Sequence, residues 1–180
     1  TKYPMPRVRH HVSPQVYLPA ERQRITPAWY PPKIETVDWS EIFSQGAPPS
    51  VLDIGCGRGG FLLQHALHYP DVNILGVEVR QMLVDWTNGV IDGEQLPNVR
   101  ALWYSVANGL GFIEEHSIDH AVYLFPDPWP KKRHHKRRLF TAQFLDELLR
   151  VLKPDGTLYL ATDVPDVSSY QTEVIEEHGK

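Results

Sequence analysis

The stretch VLDIGCGRGGFL, residues 51–62, leaves few folds open. An apolar run of strand length stops at a cluster of glycines. A segment of helical character follows, closed by Pro70. Glycines at such a corner let the backbone turn tightly and approach a ligand closely. Gly55, Gly57 and Gly60 satisfy the GxGxxG spacing, which is weak evidence alone and also fits a turn made only for packing.

The rest of the chain repeats this alternation. NILGVEVR reads as a second buried strand, with a helix over 80–91, and NVRALWY as a third strand. DHAVYLF is a fourth. In RRLFTAQFLDELLRVLKP, Leu139, Phe140, Phe144, Leu145, Leu148, Leu149 and Leu152 recur at helical spacing, and Pro154 should end that helix. GTLYLATD is a fifth strand, and 166–177 a last helix. DWSE, residues 38–41, has the form of a capping box opening a short helix through Phe43. Strands separated by helices predict an α/β fold: a Rossmann-like, doubly wound, mostly parallel sheet. A chain of 180 residues suits one such domain. We divide it into a basic N-terminal arm over 1–36, rich in proline and without a clear period, and a domain over 37–180.

Two acids sharpen the glycine loop. Glu78 ends the second strand, about 20 residues after the loop, where an acid binds ribose hydroxyls. Asp53 precedes the loop on the first strand. A dinucleotide pyrophosphate is a poor neighbour for that carboxylate, because like charges repel. An ammonium or sulfonium is a good one. The loop therefore favours S-adenosylmethionine over NAD.

The second informative stretch is FPDPWPKKRHHKRRLF, residues 125–140. Prolines 126, 128 and 130 frame Asp127 and Trp129, and six Lys/Arg with two His then fill 131–138. The chain's net charge is −4, so this run and the arm, which carries Lys2, Arg7, Arg9, Arg22 and Arg24 against Glu21 in its first thirty residues, stand out from an acidic body. Such an asymmetry suggests a polyanionic partner met at a defined face. A charge run read alone is more often a solvated surface. No apolar run has the length of a membrane span, and Cys56 is the only cysteine, which suits the cytoplasm and excludes an internal disulfide.

VLDIGCGRGGFL, GVEVR, LFPDPWPKKRHHKRRL and LATD occur in that order and resemble the tRNA (guanine-N7)-methyltransferase family over about residues 48–165. The PDPWPKKRHHKRR element is the most discriminating part. The resemblance implies a class I methyltransferase fold, S-adenosyl-L-methionine as cofactor and a variable-loop guanine of tRNA as substrate. It further implies that Asp53, Gly55 and Gly57 hold the methionine part of the cofactor and that Glu78 takes the ribose hydroxyls. Val79 and Arg80 would flank the adenosine, Ser105 and Val106 would meet the adenine edge, and Leu124 would offer its backbone. Asp127 matches the family's catalytic acid and is also expected among the cofactor-binding residues, and Lys131 and Asp163 match its substrate-contacting positions. The family continues beyond LATD into two more strands, so the resemblance implies further strands beyond Lys180. Family members usually carry Asp or Asn where Ser105 stands.

The chemistry of the turn agrees. Guanine N7 has a lone pair and no proton to lose, so methylation there needs alignment and exclusion of water rather than a strong base. A carboxylate at Asp127 can accept hydrogen bonds from the guanine edge and offset charge growing on the ring. Trp129 can stack on a base or plug the core. Lys131, Arg133 and Arg137 would grip phosphates, with Arg137 opening the next helix. Asp163 can also cap the following helix. His116 and His120 read as structural, and His134 and His135 as aids to the phosphate clamp rather than metal ligands. Cys56 reads as a small loop residue. Arg7, Arg9, His10 and His11 form either a second RNA contact or a disordered arm. A methyltransferase of another substrate class and a catalytically silent RNA-binding module remain the competing readings.

Overall fold

The computed structural model describes residues 2–8 and 12–179. Strand β1 (Val51–Ile54) is buried at all four positions and pairs in parallel with β2 (Ile74–Glu78) on one side and β4 (Ile118–Leu124) on the other. Strand β3 (Val99–Trp103) extends the sheet beyond β2, and β5 (Leu152–Ala161) extends it beyond β4. The order is β3-β2-β1-β4-β5, with all these pairings parallel. The chain thus winds outward from β1 in one direction and then returns to wind in the other. The reversal falls between β1 and β4, where an open α/β sheet forms a crevice outside the carboxyl ends of its strands.

Burial of both sheet faces follows from the period of two along each strand. Val51 and Ile74 pack with Leu62 and Ala66 of α2 (Gly60–His68) and with Val84 and Ile91 of α3 (Gln81–Gly93). Leu52, Ile54, Leu75 and Val77 face the other way, into a cluster with Phe144, Leu145 and Leu148 of α4 (Ala142–Val151). Helix α5 (Pro165–His178) follows β5 in the chain and packs against α4. The short α1 (Trp39–Ile42) is capped by Asp38, whose side chain accepts from Ser40 N at 2.9 Å; this is the N-cap that the DWSE pattern predicts, made to the second rather than the third helical N–H, and the helix ends before Phe43.

Helix α4 starts later than its apolar pattern suggests. Thr141 caps it by accepting from Phe144 N, so Leu139 and Phe140 precede the helix. Phe140 is nonetheless buried, stacked on Tyr123 with ring centroids 6.2 Å apart. At its other end the helix stops at Val151, and Pro154 lies inside β5 rather than ending the helix. The pairing of β4 with β5 shifts register between Ile118 and His120, next to that proline. Strand β5 is an edge strand, where a residue without an N–H is tolerated.

The arm is more ordered than a loosely packed lead-in. Its residues form two 3-10 turns, Pro14–Tyr17 and Ala20–Arg22, with Ser13 capping the first. Val16 and Tyr30 are buried against the domain. Arg9, His10 and His11 lie outside the described residues. Among those described, no helix is long and apolar enough to cross a membrane, and no cluster of three His, Cys, Asp or Glu could hold a metal ion.

Candidate active site

Three of the loop glycines are held in the left-handed region: Gly55 (φ 69°), Gly57 (φ 56°) and Gly59 (φ 69°). The conformation is fixed from below, because Gly55 N and Cys56 N both donate to Val77 O of β2, at 2.8 and 3.0 Å. A Cβ built on Gly55 meets no atom within 4 Å, so the backbone there borders open space. A Cβ on Gly59 would stand 3.0 Å from Thr87 Cγ2 of α3, so that glycine serves packing. Gly76 serves it too: a Cβ there would lie 2.8 Å from Cys56 Sγ, which the sequence pattern did not signal.

The loop opens on a cavity of about 90 Å³ at the carboxyl ends of β1, β2 and β4. Its lining brings together Gly55, Glu78, Val79, Arg80, Ser105, Val106, Leu124 and Asp127. Tyr17 of the arm completes the wall. Glu78 is buried and saturated. Gly57 N donates to Oε2 at 3.0 Å and Arg80 N to Oε1 at 3.0 Å, while the Arg80 guanidinium reaches both oxygens. Asp53 lies outside the lining, 2% exposed on β1. Burial, reinforced by the negative charge of Glu78, pushes its carboxyl up to about 7. Cys56 is buried, and desolvation with the same two acids raises its thiol well above the ordinary range, so it is no nucleophile.

The FPDPW turn leaves β4 with Phe125 N bonded to Ala161 O of β5 at 2.8 Å. Phe125 (φ 49°) and Trp129 (φ 43°) both sit in the left-handed region, a strained state for bulky residues that the surrounding structure must hold. One holding element is Arg138. Its Nε and Nη2 donate to Pro128 O at 3.2 and 3.1 Å, and its guanidinium lies 4.8 Å from the Tyr170 ring of α5. Asp127 is exposed at the cavity rim and accepts from Tyr17 OH at 2.6 Å.

The family model described as "Putative methyltransferase" matches residues 47–180. The tRNA (guanine-N(7)-)-methyltransferase of Thermosynechococcus vestitus is 38% identical over 177 residues, covering 96% of this chain and 76% of that protein. The chain belongs to the tRNA (guanine-N7)-methyltransferase family. A second member of that family, from a Synechococcus species, is 38% identical over 96% of this chain and 68% of its own length. Among solved structures, a SAM-dependent methyltransferase from Aquifex aeolicus matches with a TM-score of 0.55 at 19% identity, over 81% of this chain and 80% of that one. It shares the fold.

For a tRNA (guanine-N7)-methyltransferase family member, the cofactor to test against this cavity is S-adenosylmethionine, and the donor set fits it. Open space above Gly55 admits a ligand close to the backbone. Asp53, one residue before Ile54 of the lining, is a buried carboxyl whose ionisation is opposed by burial and by Glu78, and an ammonium or sulfonium nearby would favour its charged form. Glu78 offers paired oxygens to vicinal hydroxyls once Arg80 moves aside. A pyrophosphate would meet Asp53 and Glu78 as like charges.

Arg137 and Asp163 stand differently from expectation, whereas Ser105 lines the cavity as expected and Trp129 keeps one of its two expected places. Arg137 ends a 3-10 turn, Lys132–Arg137, rather than opening α4, and its guanidinium lies 5.1 Å from the Trp129 ring. Trp129 is partly exposed and contacts Tyr17 and His134 edge-on, so it does not plug the core. Asp163 is exposed and outside the cavity. It does not cap α5, whose N-cap is Val164 without a side-chain bond; just before the helix, Thr162 Oγ1 accepts from Val164 N. Ser105 donates its hydroxyl to Val16 O of the arm, so its side chain is committed away from an adenine. Lys131 and Arg133 are exposed beside the turn. Arg138, counted with the basic run in the sequence, is only 7% exposed and belongs to the turn's scaffold. His116 Nδ1 pairs with Leu152 O and His120 Nδ1 with Thr157 Oγ1, both structural.

Proposed function

We propose that this chain transfers a methyl group from S-adenosylmethionine to N7 of a guanine in the variable loop of tRNA. The observation that carries this reading is that Asp127, Glu78 and Gly55 of the glycine loop border one cavity, with the exposed cations Lys131 and Arg133 a few residues from Asp127. The relatives named above are tRNA (guanine-N(7)-)-methyltransferases, which supports the guanine N7 and tRNA parts of this reading.

In this reading Asp53 and the backbone of Gly55 and Gly57 hold the methionine part of the cofactor. Glu78 takes the ribose hydroxyls in exchange for Arg80. Val79 and Arg80 flank the adenosine, and Ser105 and Val106 meet the adenine through their backbone. Leu124 offers its backbone at the end of β4. When bound, the cofactor supplies an electrophilic methyl on a sulfonium. The chain's part is to orient the base and exclude water, since N7 has no proton to be removed. Asp127 accepts from the guanine N1–H and N2–H₂ edge and opposes positive charge growing on the ring. Lys131, Arg133 and Arg137 contact phosphates beside the base, and Trp129 packs on the loop. Asp163 contacts the tRNA outside the cavity. The reaction belongs in the cytoplasm, with tRNA.

The test is mass spectrometry of nucleosides from unmodified tRNA incubated with the protein and the cofactor. N7-methylguanosine on a variable-loop fragment is expected. Methyl incorporation into another base, or into protein with none in tRNA, would refute the assignment.

A further inference from the structure

The N-terminal arm reaches the site at one atom pair. Tyr17 OH donates to Asp127 Oδ2 at 2.6 Å, the length of a charge-assisted O–H···O⁻ bond. Among the described residues, this is the one hydrogen bond to that carboxylate. The prolines on either side of Asp127 fix their own φ but leave its χ1 and χ2 free, so an exposed carboxylate in this turn has no rotamer restraint of its own.

Tyr17 is itself well held. Its ring packs edge-on against Trp129 of the same turn, with centroids 6.0 Å apart. Its neighbour Val16 is buried and accepts from Ser105 Oγ. Ala20 N donates to Asn108 Oδ1 at 2.8 Å, and Asn108 Nδ2 donates to Tyr30 OH, which in turn donates to Leu18 O. The arm is therefore anchored on the 3-10 turn Val106–Asn108 that follows β3, and it braces the turn that follows β4. Burial and the adjacent carboxylate push the Tyr17 phenol well above its ordinary range, so it remains a donor at any working pH.

We infer that Tyr17 is a positioning residue for Asp127: its hydroxyl fixes one carboxylate oxygen so that the other is presented to the guanine. This rests on the reading of Asp127 given above. It assigns the arm a part in turnover rather than in tRNA affinity. Ser105 and Asn108 are the anchors through which that part is exerted.

The test is single-turnover methylation of tRNA by the intact protein as parent, Tyr17→Phe, Asp127→Asn and the double variant, with cofactor Kd, tRNA KM and Tm measured on each. Tyr17→Phe keeps the ring and its contact with Trp129. Its expected effect is a fall in rate of about tenfold, with Kd and KM within twofold of the parent. In the Asp127→Asn background the same change should cost less than twofold, because the hydroxyl acts through the carboxylate. A parent-like Tyr17→Phe beside a slow Asp127→Asn would overturn the inference and leave the role of Asp127 intact. A parent-like Asp127→Asn would instead remove the reading on which it rests. A faster Tyr17→Phe would mean that the bond blocks the base, and equal losses in both backgrounds would mean that Tyr17 acts elsewhere. If Tyr17→Phe lowers Tm and weakens cofactor binding in step with rate, its role is structural and the inference falls.

Discussion

Arg80 occupies both oxygens of Glu78: its Nε lies 2.8 Å from Oε1 and its Nη2 3.1 Å from Oε2. With the two backbone N–H donors from Gly57 and Arg80, the buried carboxylate has no free acceptor position. Ribose hydroxyls can reach Glu78 only by displacing the guanidinium. Because the backbone bonds remain, the carboxylate keeps its orientation during that exchange.

Glu78→Gln should therefore weaken S-adenosylmethionine binding, since it removes a charged acceptor and leaves a donor facing Gly57 N. A lost charge-assisted hydrogen bond of about 1.5–3 kcal/mol corresponds to roughly tenfold to a hundredfold in Kd. Calorimetry checks this, with NAD as the control ligand for which no binding is expected. Parent-like affinity in the variant would place the ribose elsewhere.

If Asp53 faces the cofactor's positive charge, as proposed, cofactor binding should depend on pH. The Asp53 carboxyl sits near 7 in the folded chain, above the value of about 3.9 for a free Asp. The folded state thus binds more protons than the unfolded state between about pH 4 and 7, and this group's contribution to stability declines as pH rises through that window. Without cofactor, Asp53→Asn should melt above the parent at pH 8, with the advantage gone near pH 4. A cationic ligand favours the ionised carboxyl, so affinity in the parent should fall as pH is lowered below 7, by up to about tenfold per unit. In Asp53→Asn that dependence should be lost. A flat affinity profile in the parent between pH 5.5 and 7.5 would show that the carboxyl does not face the cofactor's charge.

The basic run should divide into two kinds of cation. Arg138→Ala removes two partly buried hydrogen bonds and a cation–π contact, a loss of about 2–4 kcal/mol. It should lower Tm by several degrees. Joint replacement of Lys131, Arg133 and Arg137 by Ala should leave Tm nearly unchanged and weaken tRNA binding. It should reduce the magnitude of the log–log salt slope by about two to three. Thermal melts and salt-titrated binding separate the two sets. An unchanged slope in the triple variant would mean that tRNA docks on another face.

These contrasts mark what the sequence could disclose. Strands β1 and β2 are covered on both faces, so they appear as mostly apolar runs, interrupted by Asp53 and closed by Glu78, and their order was readable. The meeting of Gly55, Glu78 and Asp127 at one cavity was readable as well, because each follows or ends a strand that the alternation made parallel. The start of α4 was not, because Phe140 is apolar for its stacking on Tyr123 and falls at helical spacing only by position. Arg138 was hidden among five like charges, and only the fold distinguishes the buried one. Tyr17 left no signal: a four-residue 3-10 turn has no period to read, and its partner lies 110 residues away.

The account stands or falls on what happens at guanine N7 beside Asp127. N7-methylguanosine is open to borohydride reduction, after which aniline cleaves the strand at that nucleotide. The decisive measurement is this cleavage on end-labelled, unmodified tRNA after incubation with cofactor and either the parent or Asp127→Asn. The account predicts one cut in the variable loop with the parent and a band weaker by about a hundredfold at equal time with the variant, at unchanged cofactor Kd. An equally strong cut with Asp127→Asn, or no cut with an active parent, would contradict it.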